Sequence, residues 1–123
     1  TKLNEDIVVP RGRLEALFNF AARLQKKHGL QLACFGHAGD GNIHTNVMVD
    51  YQQTGAKDRA EQCLDELFAW VIAQGGAITG EHGIGLAKKR WWPQAVSANS
   101  RTLHETVKRA LDPHGILNPG KFL

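Results

Sequence analysis

Phe35-Gly36-His37-Ala38-Gly39-Asp40-Gly41-Asn42-Ile43-His44-Thr45-Asn46 is the stretch on which the fold of this chain turns. Its Asp-Gly pair is a strong hairpin signal, because glycine takes the positive φ that a tight reversal demands. Beyond the turn, Ile43, Thr45, Val47 and Val49 alternate with His44, Asn46 and Met48. One face of that strand is therefore apolar and the other polar. Before the turn, Leu30 to Phe35 reads as a partner strand. The Gly36–Asn42 reversal between them carries a histidine at each flank. A second glycine-rich turn, Gly80-Glu81-His82-Gly83, lies downstream.

Working outward, Asp6-Ile7-Val8-Val9 is a β-branched run that Pro10 ends, the pattern of a strand. Between Arg11 and His28, Leu14, Leu17, Phe18, Ala21 and Leu24 fall at helical spacing, and Gly29 provides the stop. Lys57 to Gln74 is a second helix, with Ala60, Cys63, Leu64, Leu67, Phe68, Val71 and Ile72 on its buried side and Gly75-Gly76 after it. Ala77-Ile78-Thr79 reads as a fourth short strand. Gly83 to Trp92 reads as a turn opening a short helix that Pro93 ends. Ser100 to Leu111 is a third clear helix, with Leu103, Val107, Ala110 and Leu111 apolar. Asp112-Pro113-His114-Gly115 breaks it.

The resulting order is β-α-β-β-α-β plus a C-terminal helical tail. It predicts an α+β, ferredoxin-like sandwich: an antiparallel sheet with both helices on one face, within a single domain over residues 1–123. The other sheet face is left to the tail or to chain outside this sequence.

At 123 residues the chain is long enough for one core and short for a whole enzyme. Its 42% hydrophobic and 22% charged residues place it with ordinary globular proteins. A net charge of +3, with Lys88-Lys89-Arg90 as the densest basic cluster, is too little to argue for a nucleic-acid partner. Cys34 and Cys63 form no C-x-x-C pair and sit in apolar patterns, as reduced core thiols of an intracellular protein do. No apolar run approaches the ~18 residues of a membrane span, and no signal peptide is visible. The chain opens on Thr1 rather than Met, as a piece of something larger would.

The chemistry concentrates in the two glycine-rich turns. His37 and His44 are of the wrong parity for one face of a single strand, but a reversal at Gly39–Asn42 brings two imidazoles near each other. Glu81 would add a carboxylate. Two histidines and one carboxylate are a common set for a divalent metal with an open position. His82, adjacent to Glu81, would point elsewhere from an extended backbone and serve as a separate base. The competing reading makes these loop histidines that satisfy backbone groups. Asn46 shares the strand face of His44 and is a candidate substrate or ligand contact. Asp40 and Asn42 serve the turn through side-chain to backbone bonds. His28, His104 and His114 have no partner pattern and read as structural or solvated. Trp91 and Trp92 read as core or interface.

Two phosphate motifs fail. Gly39-Asp40-Gly41-Asn42-Ile43-His44 lacks the last glycine of G-x-G-x-x-G and leads into a strand, not a helix. Gly115 to Lys121 fits G-x-x-x-x-G-K, but Phe122 stands where Ser or Thr must reach Mg²⁺.

EDIVVPRGRL (residues 5–14), FGHAGDGNIHTN (35–46), ITGEHGIGLAKKRWW (78–92) and LDPHGILNPGKFL (111–123), in that order, resemble the C-terminal domain of the FAD-linked oxidases. That family includes the glycolate oxidase D subunit, D-lactate dehydrogenases and D-2-hydroxyglutarate dehydrogenase. The resemblance covers nearly the whole chain. It implies a flavin-dependent oxidation of a small 2-hydroxy acid, of the glycolate or D-lactate type, to the 2-oxo acid. FAD would be bound mainly by a separate N-terminal domain, and this domain would cap the reactive face of the flavin. By the same resemblance His37, His44 and Glu81 hold a divalent metal (Zn, Mn or Fe). His82 is the base and a substrate contact, Asn46 contacts substrate, and Asn118, together with Asn42, lies on the cofactor side. The implied partners are the 2-hydroxy acid, the FAD-binding domain, electron-transfer subunits, and a second copy joined through exposed apolar surface. The implied location is cytoplasmic, reaching the inner membrane only through partner subunits. Two other classes remain on the residues alone: a small metal- or ligand-binding regulatory module, and a His2Glu metallohydrolase. The ILNPGKFL terminus discriminates, since a flavin cap uses it and a regulatory module has no need of it.

Overall fold

β3 (Asn42–Met48) is the middle strand of a three-stranded antiparallel sheet, with β1 (Lys2–Val8) on one side and β2 (Gln31–His37) on the other. The computed structural model describes residues 1–121 and 123. It divides into two compact units, Thr1–His82 and Gly83–Leu123.

In the first unit, β1 passes through a 3-10 turn at Arg11–Arg13 into α1 (Leu14–His28), and β3 is followed by α2 (Ala56–Ala73). The alternation read in β3 decides which face is which. Ile43, Thr45 and Val47 are 2%, 0% and 0% exposed and stand opposite Ile7, Glu5 and Leu3 of β1 and Gly36, Cys34 and Leu32 of β2. Directly opposed residues in an antiparallel pair share a face, so this is one continuous core face. α1 lies over it, since Phe18, Ala21, Ala22 and Gln25 line a groove with Leu32 and Cys34. The Gln25 side-chain oxygen also accepts from the Leu32 backbone N–H at 2.9 Å.

α2 packs beside α1. The Phe20 and Trp70 rings stack with centroids 4.9 Å apart, and Glu66 receives Lys27 at 2.8 Å and the buried His28 at 3.0 Å. Leu17, Leu24, Leu67, Phe68 and Val71 are at most 1% exposed and make the helical side of the core. Burying such side chains is worth about 1.5–3 kcal/mol each, as an upper estimate.

Several boundaries differ from the expectations. β1 begins at Lys2 rather than Asp6, because its polar first half pairs in register with Thr45–Met48, a partnership invisible to local propensity. The fourth strand expected at Ala77–Thr79 is reduced to one antiparallel bridge, Val8 to Ala77. The next residues leave the ladder because their backbone N–H groups turn to a side chain, as described below. α2 starts at Ala56, one residue early.

In the second unit, a short α3 (Trp92–Ala95) carries Pro93 in its first turn rather than being ended by it. Proline is tolerated there, since the first N–H groups of a helix have no internal acceptor. α4 (Ala98–Leu111) starts two residues earlier than expected, because Ser97 accepts the Ser100 N–H at 3.1 Å as its N-cap. At its far end Asp112 accepts the Ile116 and Leu117 N–H groups and pairs with Lys108. The apolar stripe of α4 is not buried: Leu103, Val107 and Leu111 are 63%, 49% and 77% exposed. Among the described residues, no helix is long and apolar enough to cross a membrane.

Candidate functional site

The second sheet face, opposite the core face, carries the polar residues. Its rows run across the strands as Val8–Asn42–His37, then Asp6–His44–Phe35, then Asn4–Asn46–Ala33. His37 and His44 are thus diagonal neighbours on one face, and their ring centroids lie 6.4 Å apart. The turn that achieves this spans residues 38–41, with the Asp40 and Gly41 N–H groups on the His37 carbonyl and the Asn42 N–H on the Asp40 side chain. Only glycine fits at Gly41. Its φ is +77°, and a Cβ there would lie 2.0 Å from the Val9 carbonyl oxygen.

The second turn comes to the same face. His37, His44 and Glu81 offer one ligand atom each, all within 4.8 Å of one another. His44 Nε2 is 3.0 Å from Glu81 Oε1, and His44 is 13% exposed against 51% for Glu81. Ligand atoms around a metal bound at about 2.0–2.2 Å sit roughly 3–3.5 Å apart, so small side-chain rotations would close this set on an ion. Two buried atoms nearby lack a hydrogen-bond partner among the described residues, His44 Nδ1 and Asn46 Oδ1. His44 Nδ1 points away from the Nε2 that meets Glu81, so an ion between His44 and Glu81 would leave it unchanged. Asn46 Oδ1 is an acceptor that a bound group could engage.

His82 does not point elsewhere, as an extended backbone would have required. Its ring centroid is 5.3 Å from that of His44, its Nε2 is 3.8 Å from Glu81 Oε1, and its Nδ1 is 3.9 Å from Asp6 Oδ1. The reason is that the loop curls around the Asp6 carboxylate. Asp6 is fully buried, and its Oδ2 accepts the N–H groups of Gly80, Glu81 and His82 at 2.9, 2.6 and 2.8 Å. The Thr79 hydroxyl donates to both carboxylate oxygens, at 3.2 and 3.1 Å.

Asp6 carries no motif in the sequence. The signal was a lone acidic residue inside an Ile-Val-Val strand. Phe35, which stacks on His44 with centroids 5.5 Å apart, also went unmarked. Asn42 is 8% exposed and donates from Nδ2 to the Ile7 carbonyl at 3.1 Å, with Gly80 packed over it: a Cβ on Gly80 would sit 2.2 Å from that nitrogen. Asn118 belongs to the second unit, where it holds a positive φ of 47°. Of the remaining histidines, His28 is held by Glu66 and His104 contacts the Ser100 carbonyl at 2.7 Å.

Cys34 and Cys63 are free thiols. Burial pushes the Cys63 thiol up to about 11, with the Glu66 charge adding to it. Burial raises Cys34 too, partly opposed by its bond to Thr45.

The fold and this cluster define an α+β domain with two histidines and one carboxylate gathered at the second face of a sheet. Its sequence matches the family described as FAD linked oxidases, C-terminal domain, over residues 1–122, and the chain belongs to that family. It is 36% identical over 122 residues to the glycolate oxidase subunit GlcD of Bacillus subtilis, covering 99% of this chain and 26% of that protein. Against the Escherichia coli K12 subunit of the same name the identity is 37% over 116 residues, 94% of this chain and 23% of that protein. A D-lactate dehydrogenase of Anaerostipes hadrus is 33% identical over 118 residues, 95% of this chain and 25% of that protein. The chain therefore spans about a quarter of the length of these curated relatives.

Proposed function

We propose that this domain is the substrate-side part of an FAD-dependent oxidoreductase that converts a small 2-hydroxy acid, glycolate or D-lactate, to the 2-oxo acid. Family membership supports the flavin chemistry. The observation that carries the site is the meeting of His37, His44 and Glu81 on one sheet face, with His82 beside them.

In this reading His37, His44 and Glu81 hold a divalent metal such as Zn, Mn or Fe, which would polarise the substrate hydroxyl and carboxylate. FAD, bound mainly by a domain outside this sequence, would supply the hydride acceptor for the C2 hydrogen. His82 takes the hydroxyl proton at Nε2 while its Nδ1 faces Asp6. Asn46, with its buried side-chain oxygen unsatisfied, contacts substrate. Asn42 and Asn118 are each assigned to the flavin by the family resemblance. The groups that clamp the substrate carboxylate belong to chain outside this sequence, as do the contacts to electron-transfer subunits at the cytoplasmic face of the inner membrane. A second copy would join through the exposed stripe of α4.

The test is flavin reduction in the full-length protein carrying His82→Ala, followed by rapid mixing with glycolate and with D-lactate. Loss of a positioned base lowers the reduction rate by about 10²–10⁴-fold. A rate equal to wild type removes His82 from the chemistry.

A further inference from the structure

We propose that Asp6 is the positioning residue of this site. Its carboxylate holds the Gly80–His82 backbone in the one conformation that aims Glu81 and His82 at His44. The inference rests on the reading above of Glu81 as ligand and His82 as base.

Residues 78–84 form no helix or strand, and the ladder that could have fixed them stops at the single Val8–Ala77 bridge. Among the described residues, the hydrogen bonds made by the Gly80–His82 backbone N–H groups converge on one residue. Three successive N–H groups and a threonine hydroxyl converge on Asp6, and every one of these bonds spans at least 73 residues of sequence. The Gly80 N–H also meets the Asp6 backbone carbonyl at 2.9 Å, so main chain and side chain of one residue grip the loop together. A carboxylate suits this cradle because the three N–H groups and the Thr79 hydroxyl on it are all donors, and an ionised carboxylate is acceptor-only. Charge-assisted bonds of this kind are shorter and roughly twice as strong as neutral ones.

The placement ties the loop to the metal ligands. Asp6 stands directly opposite His44 in the β1–β3 register. The loop is thus anchored on the sheet row that carries His44, and the Glu81 carboxylate returns to His44 Nε2 at 3.0 Å. Asp6 Oδ1 is 3.9 Å from His82 Nδ1, beyond hydrogen-bond reach. Asp6 is fully buried beneath the loop, and its effect passes through Glu81 and His82.

Asp6→Asn tests this in the full-length flavoprotein freed of metal. Asparagine keeps the shape and one acceptor oxygen but places an amide against donors. Cobalt(II) binding is followed by equilibrium dialysis and by the visible spectrum of the bound ion. Amide exchange over residues 79–83 is followed by mass spectrometry. The expected result is faster exchange in that loop with β1 and β3 still protected, an altered cobalt(II) spectrum, and affinity weakened by about 10–100-fold, the loss seen when groups that orient ligands are removed. Unchanged exchange and an unchanged cobalt(II) spectrum in Asp6→Asn would overturn the proposal. If that variant does not fold, Thr79→Ala decides. Removing this single donor weakens cobalt(II) binding and loosens the loop if Asp6 acts as described, and leaves both unchanged if it does not. His44→Ala separates the two readings. If it leaves wild-type cobalt(II) binding intact, the metal assignment falls, while loop exchange in Asp6→Asn still judges the role of Asp6.

Discussion

Asp6 and His44 stand opposite each other on neighbouring strands, and Glu81 closes the circuit between them. Its N–H is 2.6 Å from Asp6 Oδ2 and its carboxylate is 3.0 Å from His44 Nε2. A sheet row thus presents His44 directly and holds Glu81, the carboxylate of the proposed ligand set, through a buried carboxylate. The Glu81 side chain itself is 51% exposed.

Glu81→Gln keeps the backbone bond to Asp6 and removes only the charged ligand. Zinc or manganese retained by the full-length protein after exhaustive dialysis, read by elemental analysis, falls, with affinity reduced by at least about 100-fold, since losing a direct ligand costs no less than losing an outer partner. Full retention of metal would remove Glu81 from the ligand set.

Gly80→Ala puts a methyl 2.2 Å from Asn42 Nδ2 and 3.0 Å from Val8 Cγ2. Both neighbours belong to the sheet, so the loop must move instead. The expected cost is about 1–3 kcal/mol in urea unfolding, the range for overpacking a filled site. An equally stable variant would show that the loop is softer than its hydrogen bonds imply.

With its thiol pushed up to about 11, Cys63 is protonated at pH 8 in all but about one molecule in a thousand. Cys34 is raised by burial as well. Alkylation by iodoacetamide at pH 8 is therefore expected to be slow for both thiols in the native protein and rapid in urea. Labelling of native Cys63 at the rate of a free thiol contradicts this account.

The Lys108 hydrogen bond beside Asp112 holds its carboxyl below the usual range, against the opposing effect of burial and with the Leu117 and Ile116 N–H groups assisting. Because the folded value lies below the unfolded one, this stabilisation is present above the unfolded carboxylate range. It is lost as pH falls through the folded value. The C-terminal turn of α4 is expected to loosen in that acid window in wild type and already at neutral pH in Asp112→Asn, read by amide exchange at Ile116 and Leu117. Equal protection of the two proteins at neutral pH would count against it.

What the sequence by itself determined is what short-range periodicity and turn chemistry encode. The Asp-Gly hairpin, the alternation of Ile43, Thr45 and Val47 with His44 and Asn46, and the helices stopped at Gly29 and near Gly75 all depend on neighbours within a few residues. The turn also signalled that His37 and His44 come near each other, but it was the extension of β2 to His37 in the folded sheet that put them on one face. Only the tertiary structure decided the rest. The polar half of β1, the shrinking of the fourth strand to one bridge, and the inward turn of His82 follow from pairings across tens of residues, foremost the Asp6 bonds to residues 79–82. Nor could periodicity tell that the stripe of α4 lies exposed, since an apolar face records what a helix can bury and not what lies against it. A carboxylate that gathers distant N–H groups has no period and no spacing, so Asp6 became legible only once the chain had folded around it.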